Sequence, residues 1–254
     1  MAITIKSERE IELMAEAGKI LERVHNELEK ALHPGMSTKD IDTLGEKIIR
    51  SYGCILSFLN YNGYPASICV SVNQEVVHGI PDKHRIIHEG DIVSLDAGVI
   101  YKGYHSDAAR THAVGEVSEE AKKLIQVTKE CFFEGIKYAK AGNHLFDISG
   151  AIGRYAEERG YGVVRDLCGH GIGTALHEAP EIPNYEVGRK GVKLRPGMTL
   201  AIEPMINIGT YEVDWLDDDW TVVTRDGSLS AHYENTILIT EGEPRILSLT
   251  CDNE

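Results

Sequence analysis

Two aspartates in the first half of the chain have the type and spacing to bind a cation. The apolar run 92–95 leads into Asp96, and Asp107 follows eleven residues later, with a turn-forming Tyr-Lys-Gly stretch between them. A hairpin with Tyr101 and Lys102 at its tip predicts Asp96 directly opposite Asp107, about 5 Å apart at Cβ. Two carboxylates at that distance repel each other unless a cation lies between them. For this pair alone, a surface hairpin with two solvated acids is the more common explanation, and other residues have to decide.

Three further residues complete a ligand set. His170 lies between glycines, Glu203 ends an apolar run before a proline, and Glu234 precedes the apolar residues 237–239. Taken singly, they are typical of a loop histidine and of solvated glutamates. Together with the two aspartates they form an oxygen-rich, thiol-free set, which favours Mn(II), Fe(II) or Co(II), with Zn(II) also compatible. Four negative charges balance two divalent cations, and such a pair of ions activates a bridging water, which indicates hydrolysis of an acyl bond.

Helical periodicity and capping patterns predict the elements that carry these residues. Two helices come first, then strands, then two more helices and a strand-rich remainder. The helices are predicted to begin near Ser7, Ser37, Ser118 and Leu145 and to end near residues 34, 52, 138 and 160. The strands are predicted over residues 67–72, the run into Asp96, 200–208, 220–224 and 232–240.

The order of elements repeats, and so do individual residues at an offset of 107. The offset aligns glycines and acids at matching helix ends and turns, and it aligns Asp96 with Glu203. The aligned glycines are Gly35 with Gly142, Gly53 with Gly160, and Gly90 with Gly197. We therefore predict an α+β fold, in which one catalytic domain over residues 1–254 has two pseudo-two-fold halves, roughly 1–115 and 116–254, around an antiparallel sheet. In such a fold Asp96 and Glu203 approach each other across the axis.

Composition excludes several classes of function. The formal net charge is −14, with 40 Asp and Glu against 26 Lys and Arg, and so acidic a chain is a poor candidate for binding nucleic acid. The five cysteines are odd in number and without C-x-x-C spacing, which disfavours a disulfide framework or a four-thiolate zinc site and favours a reducing cytoplasm. We expect no signal peptide, because the first ten residues carry charges and include no apolar core. We also expect no membrane span, because no apolar run approaches about 18 residues. The cysteines are Cys54, Cys69, Cys131, Cys168 and Cys251.

The order of the motifs resembles the methionine aminopeptidases, which share a pita-bread fold with prolidase and aminopeptidase P. The motifs are Asp, a second Asp eleven residues on, Gly-His-Gly, Ile-Glu-Pro and Tyr-Glu-Asn, and they span nearly the whole chain. The 25 residues between His177 and Glu203 are similar to the short, bacterial-type class I enzymes, which lack the helical insertion of class II.

The resemblance implies a role for each ligand. Asp107 and Glu234 would bridge two metal ions, Asp96 would chelate one, and His170 and Glu203 would complete the other. Glu203 would also accept a proton from the attacking water as the general base.

The resemblance also implies that two histidines act on the substrate. His78 matches the family histidine near the substrate amide, and His177 matches the one that steadies the carbonyl oxygen as it becomes an oxyanion. Read without the family, both are ordinary loop histidines.

The resemblance further implies an apolar pocket for a methionine side chain, because Tyr61, Tyr64, Cys69 and Trp220 match the family's pocket positions. Aromatic contacts suit a thioether, although Tyr61 and Tyr64 are as often plain core or surface aromatics. Two further pocket positions depart from the common bacterial pattern. Phe58 stands where a small Cys is frequent, and Leu176 where a Phe is usual, so the two changes could compensate in volume while altering fine specificity. Asn73 and Ser230 match positions that hold a monovalent cation in some relatives.

The activity implied is removal of the initiator methionine from peptides and nascent proteins whose second residue is small, with two divalent ions of Co, Mn, Fe or Zn. The ribosome is an expected partner, the chain is expected to be monomeric and cytoplasmic, and no membrane or nucleic acid is involved. One rival is a prolidase or Xaa-Pro aminopeptidase, although these carry an additional N-terminal domain. The other is a binding protein that keeps the fold without catalysis, although such proteins typically lose ligands.

Overall fold

Four helices and fifteen strands make up the described part of this computed structural model, residues 2–249. The helices are α1 (Glu8–Ala31), α2 (Thr38–Ser51), α3 (Glu119–Ile136) and α4 (Leu145–Glu157), and a 3₁₀ turn covers Tyr61–Gly63. The strands are β1 (Ile55–Leu56), β2 (Cys69–Val72), β3 (Glu75–Val77), β4 (Ile92–Tyr101), β5 (Tyr104–Ala113), β6 (Gly162–Val163), β7 (Gly169–Gly171), β8 (Glu178–Ile182), β9 (Thr199–Ile202), β10 (Met205–Asn207), β11 (Val213–Trp215), β12 (Val222–Thr224), β13 (Ser230–His232), β14 (Glu234–Leu238) and β15 (Arg245–Ile246).

The helices begin where the capping patterns predict. The Ser7 and Ser37 side chains accept backbone N–H groups in the first turns of α1 and α2, and each is paired with an acidic residue three positions on in a capping box. Ser118 accepts the N–H of Ala121 at the start of α3. These caps satisfy backbone donors that a helix start leaves without partners, so they fix the helix boundaries locally.

The strands form one nine-stranded sheet and two three-stranded sheets, and every pairing between strands is antiparallel. The large sheet runs β1-β4-β5-β14-β9-β7-β8, with β2 also on β4 and β15 also on β14. The smaller sheets run β13-β10-β6 and β11-β12-β3. The prediction of an α+β fold built on an antiparallel sheet is confirmed.

The β4–β5 hairpin forms, but its predicted register is wrong by two residues. Tyr101 pairs with Tyr104, so Lys102 and Gly103 form the loop, and both have positive φ, 49° and 88°. A two-residue loop of that shape matches the twist of the strands better than the predicted tip. Asp96 is therefore opposite Ala109 rather than Asp107. A shift of two residues keeps both carboxylates on one face of the sheet, as diagonal neighbours.

Two predicted strands are each broken at one point. Residues 200–208 divide into β9 and β10 at Glu203, because Pro204 has no N–H to donate. Residues 232–240 divide into β13 and β14 at Tyr233, whose N–H donates to the Pro204 carbonyl at 3.2 Å. These two segments therefore each pass from the large sheet to a small sheet at the same place. Glu203 and Glu234 lie at this crossing.

Two hydrophobic cores lie between the sheet and the two helix pairs. Leu21 and Ile41 of α1 and α2 are buried with Val93 and Leu95 of β4, and in the same way α3 and α4 are buried with β9 and β14. Because successive side chains on a strand point to opposite faces, Asp96 lies on the face that the helices do not cover. The helices thus order the sheet from one side and leave the other side for the site.

Candidate metal centre

Five neighbouring strands each supply one predicted ligand. In the order β4-β5-β14-β9-β7, the residues are Asp96, Asp107, Glu234, Glu203 and His170, with Glu203 directly after the end of β9. Ladder pairing places Ala109 of β5 opposite both Asp96 and Glu234. The sheet therefore brings together side chains that are up to 138 positions apart in the sequence.

The distances between these side chains are those of a cluster. His170 Nε2 lies 3.9 Å from Asp107 Oδ2 and 3.6 Å from Glu203 Oε1. One ligand atom each from Asp107, His170 and Glu234 lie within 4.8 Å of one another, and Asp96 and Glu203 line the same cavity. His170 Nδ1 donates to the Gly171 carbonyl at 2.9 Å, so the Nε2 lone pair faces the carboxylates.

Burial and mutual repulsion disfavour the charged form of these carboxyl groups when no cation is present. Burial raises the pKa of Asp96 to about 7. Burial and then the charge of Asp96 raise the pKa of both Asp107 and Glu203 well above its ordinary value. Burial lowers the pKa of His170 to about 3, so its imidazole is neutral, which is the form that binds metal.

Several of the carboxylate oxygens are buried without a hydrogen-bond partner among residues 2–249. They are Asp96 Oδ1, Asp107 Oδ1 and Glu234 Oε1. Buried polar atoms normally have partners, and an unsatisfied acceptor costs about 1–3 kcal/mol. A divalent cation would satisfy all three oxygens and offset the repulsion among the acids. The residues present therefore fit a metal ion.

The predicted pocket residues surround the same cavity. The Tyr64 and Trp220 rings meet edge to face with centroids 5.1 Å apart, and the Tyr64 hydroxyl donates to the Gly79 carbonyl at 3.0 Å. Phe58 and Leu176 lie in one buried cluster with Tyr64, beside the acids. The remaining predicted pocket members on the cavity wall are Tyr61, Cys69, His78 and His177. Their roles stay predictions.

The two predicted substrate histidines approach the acids from different loops. The His177 ring lies 4.1 Å from the His170 ring, centroid to centroid, and its Nδ1 lies 3.0 Å from the Tyr61 hydroxyl. His78 has a left-handed backbone with φ of 58°, and its ring meets Trp220 edge to face at 6.2 Å. A strained φ at a non-glycine residue is typical of functional sites. Burial and then His177 lower the pKa of His78 to about 4.

Asn73 and Ser230 are neighbours, but the structure places them outside this cavity. The Ser230 N–H donates to the Asn73 carbonyl at 3.0 Å. The Asn73 side-chain oxygen accepts the N–H of Ile92 at 3.0 Å, and the Ser230 hydroxyl donates to the Ile206 carbonyl at 3.3 Å. The Asn73 side-chain amide also donates to Asp91 Oδ1 at 2.8 Å. The monovalent cation there stays a prediction.

Sequence reasoning missed three residues at the site. Asn62 lines the cavity from the 3₁₀ turn. Arg110 is half-buried, and it donates to the Glu234 carbonyl and, at 2.6 Å, to Asn235 Oδ1. His232 is buried with its Nε2 3.9 Å from Glu203 Oε2, and neither ring nitrogen has a hydrogen-bond partner among the described residues. Arg110 stands three positions after Asp107 in β5, and His232 ends β13 two positions before Glu234. This closeness to a predicted ligand is the signal that could have found them.

Two other sequence predictions bear on the setting of the site. The four cysteines within residues 2–249 are free, and three of them are buried; Cys251 lies outside the described residues. None of the helices in residues 2–249 combines the length and the apolar character that a membrane crossing requires.

Known proteins match this chain over almost its whole length. A methionine aminopeptidase from Clostridium acetobutylicum is 58% identical over 247 residues, which are 97% of this chain and 99% of that protein. The structure of a methionine aminopeptidase from Thermotoga maritima superposes with a TM-score of 0.96 at 46% identity, and the match covers 98% of this chain and 100% of that one.

A more distant match tests the rival interpretation. An Xaa-Pro dipeptidase from Bacillus anthracis superposes with a TM-score of 0.78 at 27% identity, and the match covers 97% of this chain but only 62% of that one.

Residues 12–241 also match the sequence description of metallopeptidase family M24. With that match spanning most of the chain, and with a cluster of acids and an imidazole that fits a divalent cation, the chain belongs to metallopeptidase family M24.

Proposed function

We propose that Asp96, Asp107, His170, Glu203 and Glu234 hold the two divalent cations with which this metallopeptidase removes the N-terminal methionine of peptides and proteins. The observation that carries the proposal is the five neighbouring strands that each supply one ligand to a single cavity. Oxygen and imidazole ligands suit Mn(II), Fe(II), Co(II) or Zn(II). When bound, such ions polarise a carbonyl and lower the pKa of water, which is the chemistry that peptide hydrolysis needs.

Glu203 is the general base in this proposal. Burial and the neighbouring Asp96 charge raise its pKa, so a proton on this carboxyl is less unfavourable than in water. A carboxyl of that kind can accept the proton of the attacking water and later return it to the departing amine. The β9 break at Pro204 leaves Glu203 at a strand end, where its side chain reaches His170 and His232.

His177 and His78 act on the substrate. His177 stands beside His170, and the Tyr61 hydroxyl orients its Nδ1, so its other nitrogen is available to a carbonyl oxygen that becomes negative. Burial lowers the pKa of His177 and of His78, and each is therefore a neutral hydrogen-bond donor near neutral pH. From the cavity wall, His78 would bond the amide group of the scissile peptide.

The side-chain slot sets the preference for methionine. Tyr64, Cys69, Trp220, Phe58 and Leu176 give it an apolar wall with aromatic edges, which suits a thioether. The free amino terminus is expected to complete the metal coordination, which fixes cleavage at the first residue. The family resemblance implies a confined space beyond the scissile bond, so a small second residue is expected.

The setting of the reaction is also a proposal. We take residues 1–254 to form one catalytic domain, since the nine-stranded sheet draws strands from both halves. Free cysteines fit the reducing cytoplasm, and nascent chains would meet the enzyme at the ribosome. The enzyme is expected to act as a monomer, because all five ligands come from one chain.

A peptide assay tests the activity against its rivals. With Mn(II) or Co(II), the protein should release methionine from Met-Ala-Ser and leave Ala-Pro-Ala intact. Cleavage of Ala-Pro-Ala alone would identify an Xaa-Pro aminopeptidase. Cleavage of neither peptide with any of the metals would identify a binding protein.

The variant His177→Ala tests the proposed role of His177 in the mechanism. Removal of one donor to the oxyanion should lower kcat about 10²–10³-fold. The metal affinity measured by calorimetry should change less than about twofold, because no metal ligand is removed. If the variant instead loses mainly its metal, the proposed role of His177 is wrong.

A further inference from the structure

An ion pair joins the start of the chain to the segment that carries His177. Lys6 Nζ donates to Glu178 Oε2 at 2.6 Å, and the two side chains are only 4% and 11% exposed. Glu178 follows His177 directly and begins β8. A lysine so deeply buried is stable only when its charge is paired, so the contact is a fixed part of the fold.

Other bonds make this contact an anchor rather than a single pair. Thr4 Oγ1 donates to the same Glu178 oxygen at 2.6 Å and accepts a bond from Lys6 Nζ. The other Glu178 oxygen accepts the N–H of Ala175 at 3.3 Å, which closes the turn before His177. The Lys6 N–H donates to the Gly197 carbonyl at 2.8 Å, two residues before β9 begins. The anchor is thus tied to the sheet as well as to the turn.

Strand pairing holds this segment only at its two ends, where Gly171 of β7 pairs with Glu178 of β8. Residues 174, 175 and 177 are exposed and lie between β7 and β8. The Lys6 side chain runs against this segment, since a Cβ added to Gly173 would meet Lys6 Cε at 2.5 Å. On its other side, His177 contacts Tyr61 and His170. The imidazole is therefore held through its ring on one side and through Glu178 on the other.

We propose that Lys6 and Glu178 are positioning residues, whose buried ion pair sets the place of the His177 imidazole beside the metal ligands. Neither residue lines the cavity between the acids and the aromatic slot, and Glu178 lines the neighbouring cleft beside His177. The inference rests on the proposed role of His177. A displacement of about 1 Å at a reacting centre can cost about 10²-fold in rate, so a lost anchor has a measurable effect.

The test is a double-mutant cycle between Lys6 and His177 in the full-length, metal-loaded enzyme. Lys6→Met keeps the length of the side chain and removes its charge. It should lower kcat for Met-Ala-Ser about tenfold, with KM and metal affinity changed less than about twofold. In a His177→Ala background the same substitution should change kcat less than twofold, because no imidazole remains to be placed.

Glu178→Gln and Lys19→Met are the companion variants. Glu178→Gln keeps the shape of the side chain and should also lower kcat, which covers the case in which Lys6→Met folds poorly. Lys19 forms a pair of similar length with Glu16, 2.7 Å, but both side chains are about half exposed. Lys19→Met should therefore leave kcat and Tm unchanged.

The outcomes separate this inference from the proposed function. If His177→Ala retains its kcat, the proposed role of His177 fails. If His177→Ala is slow while Lys6→Met and Glu178→Gln lower Tm alone, the ion pair is only structural and the inference is overturned. An equal loss of kcat from Lys6→Met with and without His177 would overturn it as well, because the effect would then not pass through the imidazole.

Discussion

The two halves of the chain share a plan but deliver their metal ligands differently. Helices α2 and α4 begin at Thr38 and Leu145, and strands β4 and β9 begin at Ile92 and Thr199, in each case 107 residues apart. The helix starts even share a contact, because Asp40 and Asp147 each accept the N–H of the capping residue, at 2.9 and 2.8 Å. The equivalent acids Asp96 and Glu203 follow from the same plan.

The difference lies in how far apart the ligands are along the chain. In the first half, Asp96 and Asp107 come from one hairpin, so a two-residue turn sets their spacing. In the second half, His170 and Glu234 lie in β7 and β14, and Glu203 directly follows β9, which ends before Pro204 whereas β4 continues past Asp96. The local β4–β5 hairpin thus positions two ligands, and pairing between strands distant in sequence positions the other three. The half with the broken strand is also the half that holds the proposed base.

The largest predicted effect separates the two equivalent acids. Glu203→Gln removes both a ligand and the base and should lower kcat about 10³–10⁴-fold at any metal concentration. Asp96→Asn removes only a ligand, so it should weaken metal binding at least about tenfold, and excess Mn(II) should restore part of the activity. Metal titrations of methionine release measure both. If excess metal restores the Glu203 variant as fully as the Asp96 variant, the functional asymmetry between the halves does not exist.

The second prediction concerns metal, pH and Asp96. Burial raises the pKa of Asp96 from its ordinary 3.8 to about 7, so the folded metal-free site keeps a proton there after the unfolded chain has lost it. A cation must displace that proton, and metal affinity therefore increases as pH rises from about 4 to 7. The metal concentration is kept constant at about 100 times the Kd measured near neutral pH. Mn(II) should then raise Tm by about 5–10 °C near neutral pH, and by much less at pH 5.

Differential scanning calorimetry with and without Mn(II) at each pH measures this effect. Burial lowers the pKa of both His78, to about 4, and His232, to about 3, so neutral histidines make the total stability rise over part of the same range. That contribution is common to both samples and cancels in the difference. Asp96→Asn should reduce the slope of the profile, and the slope that remains comes from Asp107 and Glu203, whose pKa values burial also raises. An increase in Tm that is independent of pH would contradict the buried acid cluster.

Much of the fold could be predicted from the sequence because its determinants are local. Capping residues such as Ser7 and Ser37 set helix starts through bonds within one turn. The hairpin was predicted, but its register was not, since Lys102 adopts a positive φ that its residue type does not signal. The strand break at Pro204 could have been predicted, because proline has no N–H to donate. The matching break at Tyr233 could not, because it depends on pairing with Pro204 across the fold.

The site divides in the same way. Motif order and charge type suffice to choose the five candidate ligands, because few residue sets provide four carboxylates and an imidazole. The predicted pocket residues line the cavity beside those ligands, but the bonds behind the ligands escaped prediction. The strained backbone of His78 and the bond of Arg110 to the Glu234 carbonyl exist only once distant strands are in place. The Lys6 contact with Glu178 is also long-range, over 172 positions, and no local pattern announces it.

The smallest predicted effect tests whether the halves are equal where their backbones are equal. Gly35 and Gly142 both have φ of 94°, and a Cβ added at either would meet no atom within 4 Å. Ala at each position is therefore opposed only by the left-handed backbone, and each substitution should cost about 1 kcal/mol, with the two values within about 0.5 kcal/mol of each other. Urea denaturation measures both, and Gly242→Ala is the control, since its surroundings are equally open but its φ is not positive. That control should leave stability unchanged or raise it slightly, because Ala there only reduces the entropy of the unfolded chain. A large difference between Gly35→Ala and Gly142→Ala would show that the shared backbone plan does not extend to the energetics of the two halves.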